Sequence, residues 1–198
     1  MASLVAPLLL DGAIGVDEAG RGPWAGPVVV AAVRLDPSRP IAGLNDSKAL
    51  TERRREVLFP IIQEQALAFS IQFISAQEID GSDILRATFK GMRQAAQEVW
   101  VPELTARIDG NLVPPQFPCS AEAVVKGDAK VAAIAAASIL AKVARDHYME
   151  ALEETWPGYG FAQHKGYGTA AHQAALKALG PCAEHRTSFK PIKALLAR

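Results

Sequence analysis

Asp17 and Glu18 stand side by side in GVDEAGRGP, with the glycine-flanked arginine of Gly20-Arg21-Gly22 directly after them and the apolar run VVVAAV close behind. Two more carboxylates, Asp109 in LTARIDG and Asp128 in AEAVVKGD, share a trait with this pair: each follows a short apolar, β-rich segment and sits where it stops. Strands that line up in a sheet bring such ends to one rim, where open α/β sheets bind their ligands. Carboxylates gathered there repel one another unless a cation lies between them. With oxygen donors and neither His nor Cys among them, the cation this chemistry suits is Mg²⁺ or Mn²⁺ rather than zinc. Each acid alone reads equally well as a solvated turn; the convergence of four is what argues for a site.

Two conditions follow. Consecutive strand residues face opposite ways, so Asp17 and Glu18 are expected to share a site through a strand end or a bulge. Asp128 is expected to begin a long helix as its N-cap, flanked by Lys126 and Lys130. Asp146 comes eighteen residues later in the same predicted helix, about 27 Å away at the helical rise, and is set aside as a salt-bridging or helix-end residue beside Arg145.

The Gly20-Arg21-Gly22 loop offers close backbone approach and consecutive N–H groups, a cradle for an anion or a hydroxyl. From Phe161 onward six basic residues (Lys165, Lys177, Arg186, Lys190, Lys193, Arg198) face the single acid Glu184, so a chain of zero net charge carries a basic C-terminal region suited to a polyanion. Tyr167, between glycines in HKGYGT, reads as an exposed turn aromatic able to stack on a sugar or base. The histidines of this tail show no metal-ligand spacing and read as structural or phosphate-facing.

Positioning these groups requires a sheet. AIGV and VVVAAVRL read as a strand pair around the turn GRGPWAGP, and ALAFSIQFIS as a third strand. SAQEID and SDILRATFKGMRQAAQEVW read as helices, as does TERRREVLFPIIQ with Thr51 as its N-cap. LTARIDG and AEAVVKGD are short strands, separated by the proline-rich loop NLVPPQFP. A long alanine-rich helix and the helix AAHQAALKAL follow. The pattern predicts a mixed α/β sheet flanked by helices, in one domain over residues 1–198 with a C-terminal helical segment, 161–198, packed beside it.

The 198 residues suffice for a sizeable core, and 49% are hydrophobic. Cys119 and Cys182 form no CxxC or Cys/His pairing, which points to a reducing, cytoplasmic setting. The apolar N-terminal run lacks the basic flank of a signal peptide, and no run reaches membrane-spanning length. No dimerisation stripe is evident, so a monomer is expected.

GVDEAGRGPWAGPVVVAAV, LNDSKALTERRRE, ILRATF, IDGN, VVKGDAK, AAASILAKVARD, YGFAQHKGYGT and EHRTSF together closely resemble the bacterial ribonuclease HII family, over about residues 12 to 190. The resemblance implies a ribonuclease H-like mixed sheet. It also implies an endonuclease that cuts the RNA strand of RNA–DNA hybrids and nicks at ribonucleotides embedded in DNA. Residue by residue it assigns the catalytic, metal-holding carboxylates to Asp17, Glu18, Asp109 and Asp128. The loop that reads the ribose 2′-hydroxyl falls on Gly20, Arg21 and Gly22, with Tyr167 as partner against the sugar and Lys48 near the substrate backbone. Asp83 stands where the family pattern suggests Asn, and Thr187 where a second Arg often follows EHR. The chemistry expected is two-metal phosphodiester hydrolysis leaving a 5′-phosphate and a 3′-hydroxyl. The sister family, ribonuclease HIII, and a non-catalytic nucleic-acid binding module are the rival readings.

Overall fold

The computed structural model describes residues 8–197. The reading of the N-terminal apolar run falls largely on residues outside this range, as does Arg198. A five-stranded sheet is formed by Ile14–Ala19 (β1), Val28–Arg34 (β2), Ala68–Ile74 (β3), Ala106–Asp109 (β4) and Ala121–Val124 (β5), in the order β3-β2-β1-β4-β5. β1, β2 and β3 run antiparallel in sequence, whereas β4 lies parallel to β1 and β5 parallel to β4. The sheet is therefore mixed, as the sequence predicts. Its direction of growth reverses at β1, so the gap between the carboxyl ends of β1 and β4 is the place where such sheets bind ligands.

One face of the sheet is covered by Ala132–Thr155 (α4) and Glu52–Gln65 (α1), the other by Ile84–Val99 (α3). Alternation along β1 decides what each face receives: Ile14 and Val16 pack on Met92, Ala95 and Ala96 of α3, while Gly15 lies under α4. A Cβ on Gly15 would sit 2.0 Å from the Ala133 carbonyl carbon. The run of small residues opening α4, with Ala132 to Ala137 all buried, permits this close approach. Asp83, in place of the expected Asn, caps α3 by accepting from Arg86 N–H at 2.8 Å, a role Asp fills as well as Asn does.

The remaining elements are Ala76–Asp80 (α2), Phe161–His164 (α5), Ala170–Leu179 (α6) and Lys190–Leu196 (α7). The C-terminal helices enclose their own apolar cluster, in which Phe161, Leu176 and Ile192 meet Ala25 from the β1–β2 turn and Met149 from α4. That turn is further tied to the tail by backbone bonds: Trp24 N–H donates to Gly166, Gly26 N–H to Glu184, and Arg186 N–H to Trp24.

A chain of ring hydrogen bonds runs through this cluster and fixes the tautomers. His172 Nδ1 faces the Tyr167 carbonyl at 3.0 Å and must carry the proton, so His172 Nε2 accepts from His185 Nε2 at 3.0 Å. His185 Nδ1 then accepts from Cys182 N–H at 2.9 Å. Both rings are buried, and burial, reinforced by their neighbours, lowers each from the ordinary 6.5 to about 4. A histidine neutral in the fold and protonated in the unfolded chain stabilises fully above about pH 6.5, and its contribution drains away as pH falls toward 4. The imidazole resonances of His172 and His185 are therefore expected to remain those of neutral rings from pH 7 down to about pH 5. An NMR titration checks this; a ring that takes up its proton near the ordinary 6.5 in the folded protein would contradict the buried-neutral assignment.

Candidate active site

β1 does not end before the acidic pair. It continues through Asp17 and Glu18 to Ala19, pairing them with Ala31 and Val30 of β2. The expected strand end or bulge is absent here, and the two side chains leave opposite faces of the sheet. What unites them is the loss of the neighbour on the other side: β4 pairs with β1 only over Ile14 to Val16, so beyond Val16 the β4 side of β1 opens. Asp17 points toward α4, beside Ser138, and Glu18 toward α3. Both line a cleft of about 360 Å³ together with Gly20, Arg21, Gly22, Ser47, Lys48, Lys142, Arg145 and Tyr167. A smaller recess of about 80 Å³ adjoins it, where Glu18 and Arg21 meet Asp109 and Asn111.

Asp128 departs from expectation. β5 stops at Val124, Lys126 turns the chain in the left-handed region at φ 53°, and Asp128 lies in a single 3-10 turn, Gly127–Ala129. α4 begins only at Ala132, with Val131 at its N-cap, so Asp128 neither caps that helix nor belongs to it. The turn lets Asp128 swing back over β4: Asp109 Oδ1 accepts from Gly127 N–H at 2.7 Å, and Asp128 stands beside Asp109 and Asp46. Asp146, further along α4, is ion-paired with Lys142 at 2.6 Å.

Electrostatically the group is under strain. Asp17 is 5% exposed. Burial above all, and then the charges of Glu18 and Asp109, hold its carboxyl well above the usual carboxylate range. Burial also raises Glu18, against the opposing pull of Arg21, whose guanidinium lies 3.4 Å from it. Asp128 is pushed up to about 6 by burial, then by the neighbouring Asp109 and Asp46. Among the described residues no three His, Cys, Asp or Glu side chains already stand at metal-ligand spacing. A buried carboxylate with acid neighbours and no cationic partner is nonetheless the environment a hard divalent cation stabilises.

The loop and its partners are in place around these acids. Gly22 and Tyr167 face each other, a Cβ on Gly22 falling 3.8 Å from the ring. Tyr167 is half exposed, as a turn aromatic should be. Lys48 is exposed on the cleft wall, where its charge opposes the shifts of both Glu18 and Asp128. Its segment is docked by Ser47 Oγ against Ser138 Oγ of α4 at 2.8 Å.

Sequence reasoning missed Asp46, Ser138 and the two arginines Arg145 and Arg186. Arg186, counted with the basic surface of the tail, is wholly buried and faces the Gly20-Arg21-Gly22 loop from beneath. Lys165 is drawn into a pair with Glu150, so Lys177, Lys190 and Lys193 are what remains exposed of the counted cations among the described residues. The NDSK and EHRTSF motifs carried the signal for Asp46 and Arg186; burial did not show in either.

Parallel β1, β4 and β5 with acids at or just beyond their carboxyl ends, in a mixed sheet between helices, define a ribonuclease H-like enzyme. A family model described as Ribonuclease HII matches residues 14–192. The ribonuclease HII 1 of Methylibium petroleiphilum is 56% identical over 191 residues, covering 96% of each chain. That of Hyphomonas neptunium is 52% identical over 92% of this chain and 95% of its own. Among solved structures, the ribonuclease H2 of Pyrococcus horikoshii superposes with a TM-score of 0.79 at 25% identity, covering 94% of this chain and 97% of that one. Bst-RNase HIII, solved in complex with Mn²⁺, shares the fold at 22% identity and a TM-score of 0.75, covering 95% of this chain but 70% of its own. The chain belongs to the ribonuclease HII family. It is a ribonuclease H, an endoribonuclease acting on RNA–DNA hybrids, and the family match sets aside both the ribonuclease HIII and the non-catalytic readings.

Proposed function

We propose that this enzyme is divalent-metal dependent and, besides cutting the RNA strand of hybrids, nicks duplex DNA on the 5′ side of a single embedded ribonucleotide, leaving a 5′-phosphate and a 3′-hydroxyl. The observation that carries the reading is the juxtaposition, in one cleft, of the buried and uncompensated Asp17 carboxylate with the Gly20-Arg21-Gly22 loop and Tyr167. Asp17, Glu18, Asp109 and Asp128 would hold two ions, Mg²⁺ or Mn²⁺. Bound there, the ions supply an activated water and offset charge on the leaving 3′-oxygen.

The protein groups divide the remaining work. Lys48 and the exposed lysines of the tail hold phosphates of any sequence, which gives affinity without base preference. The N–H groups of the glycine loop meet the 2′-hydroxyl, and the Tyr167 ring lies against the sugar that carries it. Glu18 and Arg21, on the boundary between the cleft and the Asp109 recess, restrain each other's position. The segment 161–198 acts within the same catalytic unit, because it supplies Tyr167 and packs on the β1–β2 turn. We further propose that the enzyme works as a monomer in the cytoplasm, a setting in keeping with the free thiols of Cys119 and Cys182. Among the described residues no helix is long and apolar enough to cross a membrane.

The test uses a labelled DNA duplex containing one ribonucleotide, incubated with enzyme and Mg²⁺ or Mn²⁺, beside an all-DNA duplex and the same duplex in EDTA. A single nick 5′ of the ribonucleotide, absent in both controls, is the expected result. Cleavage of long hybrids alone, with the embedded ribonucleotide untouched under either metal, would refute the single-ribonucleotide activity.

A further inference from the structure

Arg186 is buried without a carboxylate partner among the described residues, and its guanidinium spends its N–H groups on one short stretch of backbone. Nη2 donates to Gly20 O at 2.6 Å, Nη1 to Arg21 O at 3.0 Å and Pro23 O at 2.8 Å, and Nε to Gly26 O at 2.9 Å. Arg145, equally buried, continues the pattern: it donates to Ala25 O, Pro27 O and Lys165 O. Burying two guanidiniums is costly, and burial lowers Arg186 to about 9 and Arg145 to about 10. Such a cost is sustained where the fan of donors organises something.

Planarity says what is organised. In a trans peptide the carbonyl and the following N–H point in opposite directions, and no cis peptide occurs among the described residues. With the carbonyls of Gly20 and Arg21 turned inward to Arg186, the N–H groups of Arg21 and Gly22 are turned outward, and neither meets an acceptor among the described residues. Gly20 itself has φ +92°, and a Cβ there would lie 2.0 Å from Arg145 Nε, so the loop rests directly on these side chains.

Arg186 is in turn held from behind. Asp80, at the end of α2, accepts from the N–H and hydroxyl of Thr187, both at 2.7 Å, and from those of Ser188 at 2.9 and 2.6 Å. Phe189 stacks under the guanidinium, 5.1 Å from ring centre to Cζ. Thr187, one of the departures from the family pattern, is thus occupied in fixing Arg186.

We infer that Arg186 is a positioning residue for ribose recognition: by collecting the loop carbonyls on its buried face it presents the Arg21 and Gly22 N–H groups to the substrate, and Asp80 steadies it. The inference rests on the reading of this loop as the 2′-hydroxyl reader.

The test compares binding to a duplex with one ribonucleotide and to the all-DNA duplex, in Mg²⁺ and in the cleavage-silent Asp109→Asn background. Arg186→Lys keeps the charge but loses the fan. It is expected to weaken the ribonucleotide duplex about tenfold while leaving the all-DNA duplex within about twofold. Asp80→Asn, at a half-exposed position away from the cleft, moves the same ratio in the same direction by about threefold and carries the test alone should Arg186→Lys fail to fold. Equal weakening of both duplexes, or an unchanged ratio in a folded variant, overturns the inference and leaves the reader assignment standing. A parent protein that binds the two duplexes equally removes the reader assignment itself, and the inference with it.

Discussion

Replacing Asp17 with asparagine is expected to lower cleavage by at least about 10³-fold while leaving the metal-free protein as stable as the parent or more so. The two halves of this expectation have one cause. Asp17 is buried against α4 with Glu18 and Asp109 as its charged neighbours, and its carboxyl is held well above the usual range. A carboxyl that binds its proton more tightly in the fold than in the unfolded chain favours folding at low pH. Stability is then lost as pH rises from the ordinary 3.8 through the raised folded value. The parent bears this cost increasingly as pH rises, and the amide bears none. The amide keeps an oxygen for the Glu18 N–H, which Asp17 accepts at 2.7 Å. Thermal melts in EDTA should therefore show the variant level with or above the parent at pH 8, the difference closing toward pH 4. Added Mg²⁺ should raise the parent's melting temperature and not the variant's. A variant that melts several degrees below the parent without metal, or that still cleaves, would contradict the account.

Gly15→Ala is expected to have the largest effect on stability, about 3 kcal/mol or more, with a fall in melting temperature of about 6–12 °C. The added Cβ would lie 2.0 Å from the Ala133 carbonyl carbon and 2.3 Å from the Ile134 nitrogen. These are backbone atoms of a helix whose small buried side chains already bring it as close to β1 as packing allows, so no side chain can swing aside. Either β1 or α4 must retreat, and both carry the site: Asp17 is two residues along the strand and Ser138 one turn along the helix. Activity should fall along with stability. Urea titration and hybrid cleavage on the same preparation would check this, and a variant of unchanged midpoint and activity would refute the close-packing argument.

Much of this was readable in the residues because local chemistry repeats itself. A β-branched run gave β2, alternation gave β3, Thr51 announced the start of α1, and the acids lay after strand-like segments. The misreadings also have physical causes. A charged pair inside a strand looks like the strand's end, because the cost of placing acids in a sheet is judged from the sequence without knowing that β4 has already parted from β1. Asp128 looked like a helix cap since Asp usually is one before an alanine run, and the left-handed residue of the turn that ends the strand early is Lys126 rather than the glycine beside it. Arg186 was invisible as a structural residue: an arginine that binds carbonyls far away in sequence has the same local surroundings as one that binds solvent.

That last contact has a consequence for how the enzyme comes into being. The loop that Arg186 holds is 166 positions earlier in the chain, so during synthesis Asp17, Asp109, Asp128 and the sheet between them can assemble before the residue that orients Gly20-Arg21-Gly22 has been made. A growing chain thus acquires its acids first and the anchor of its glycine loop last, so the fixed geometry of that loop waits on the docking of the final helices.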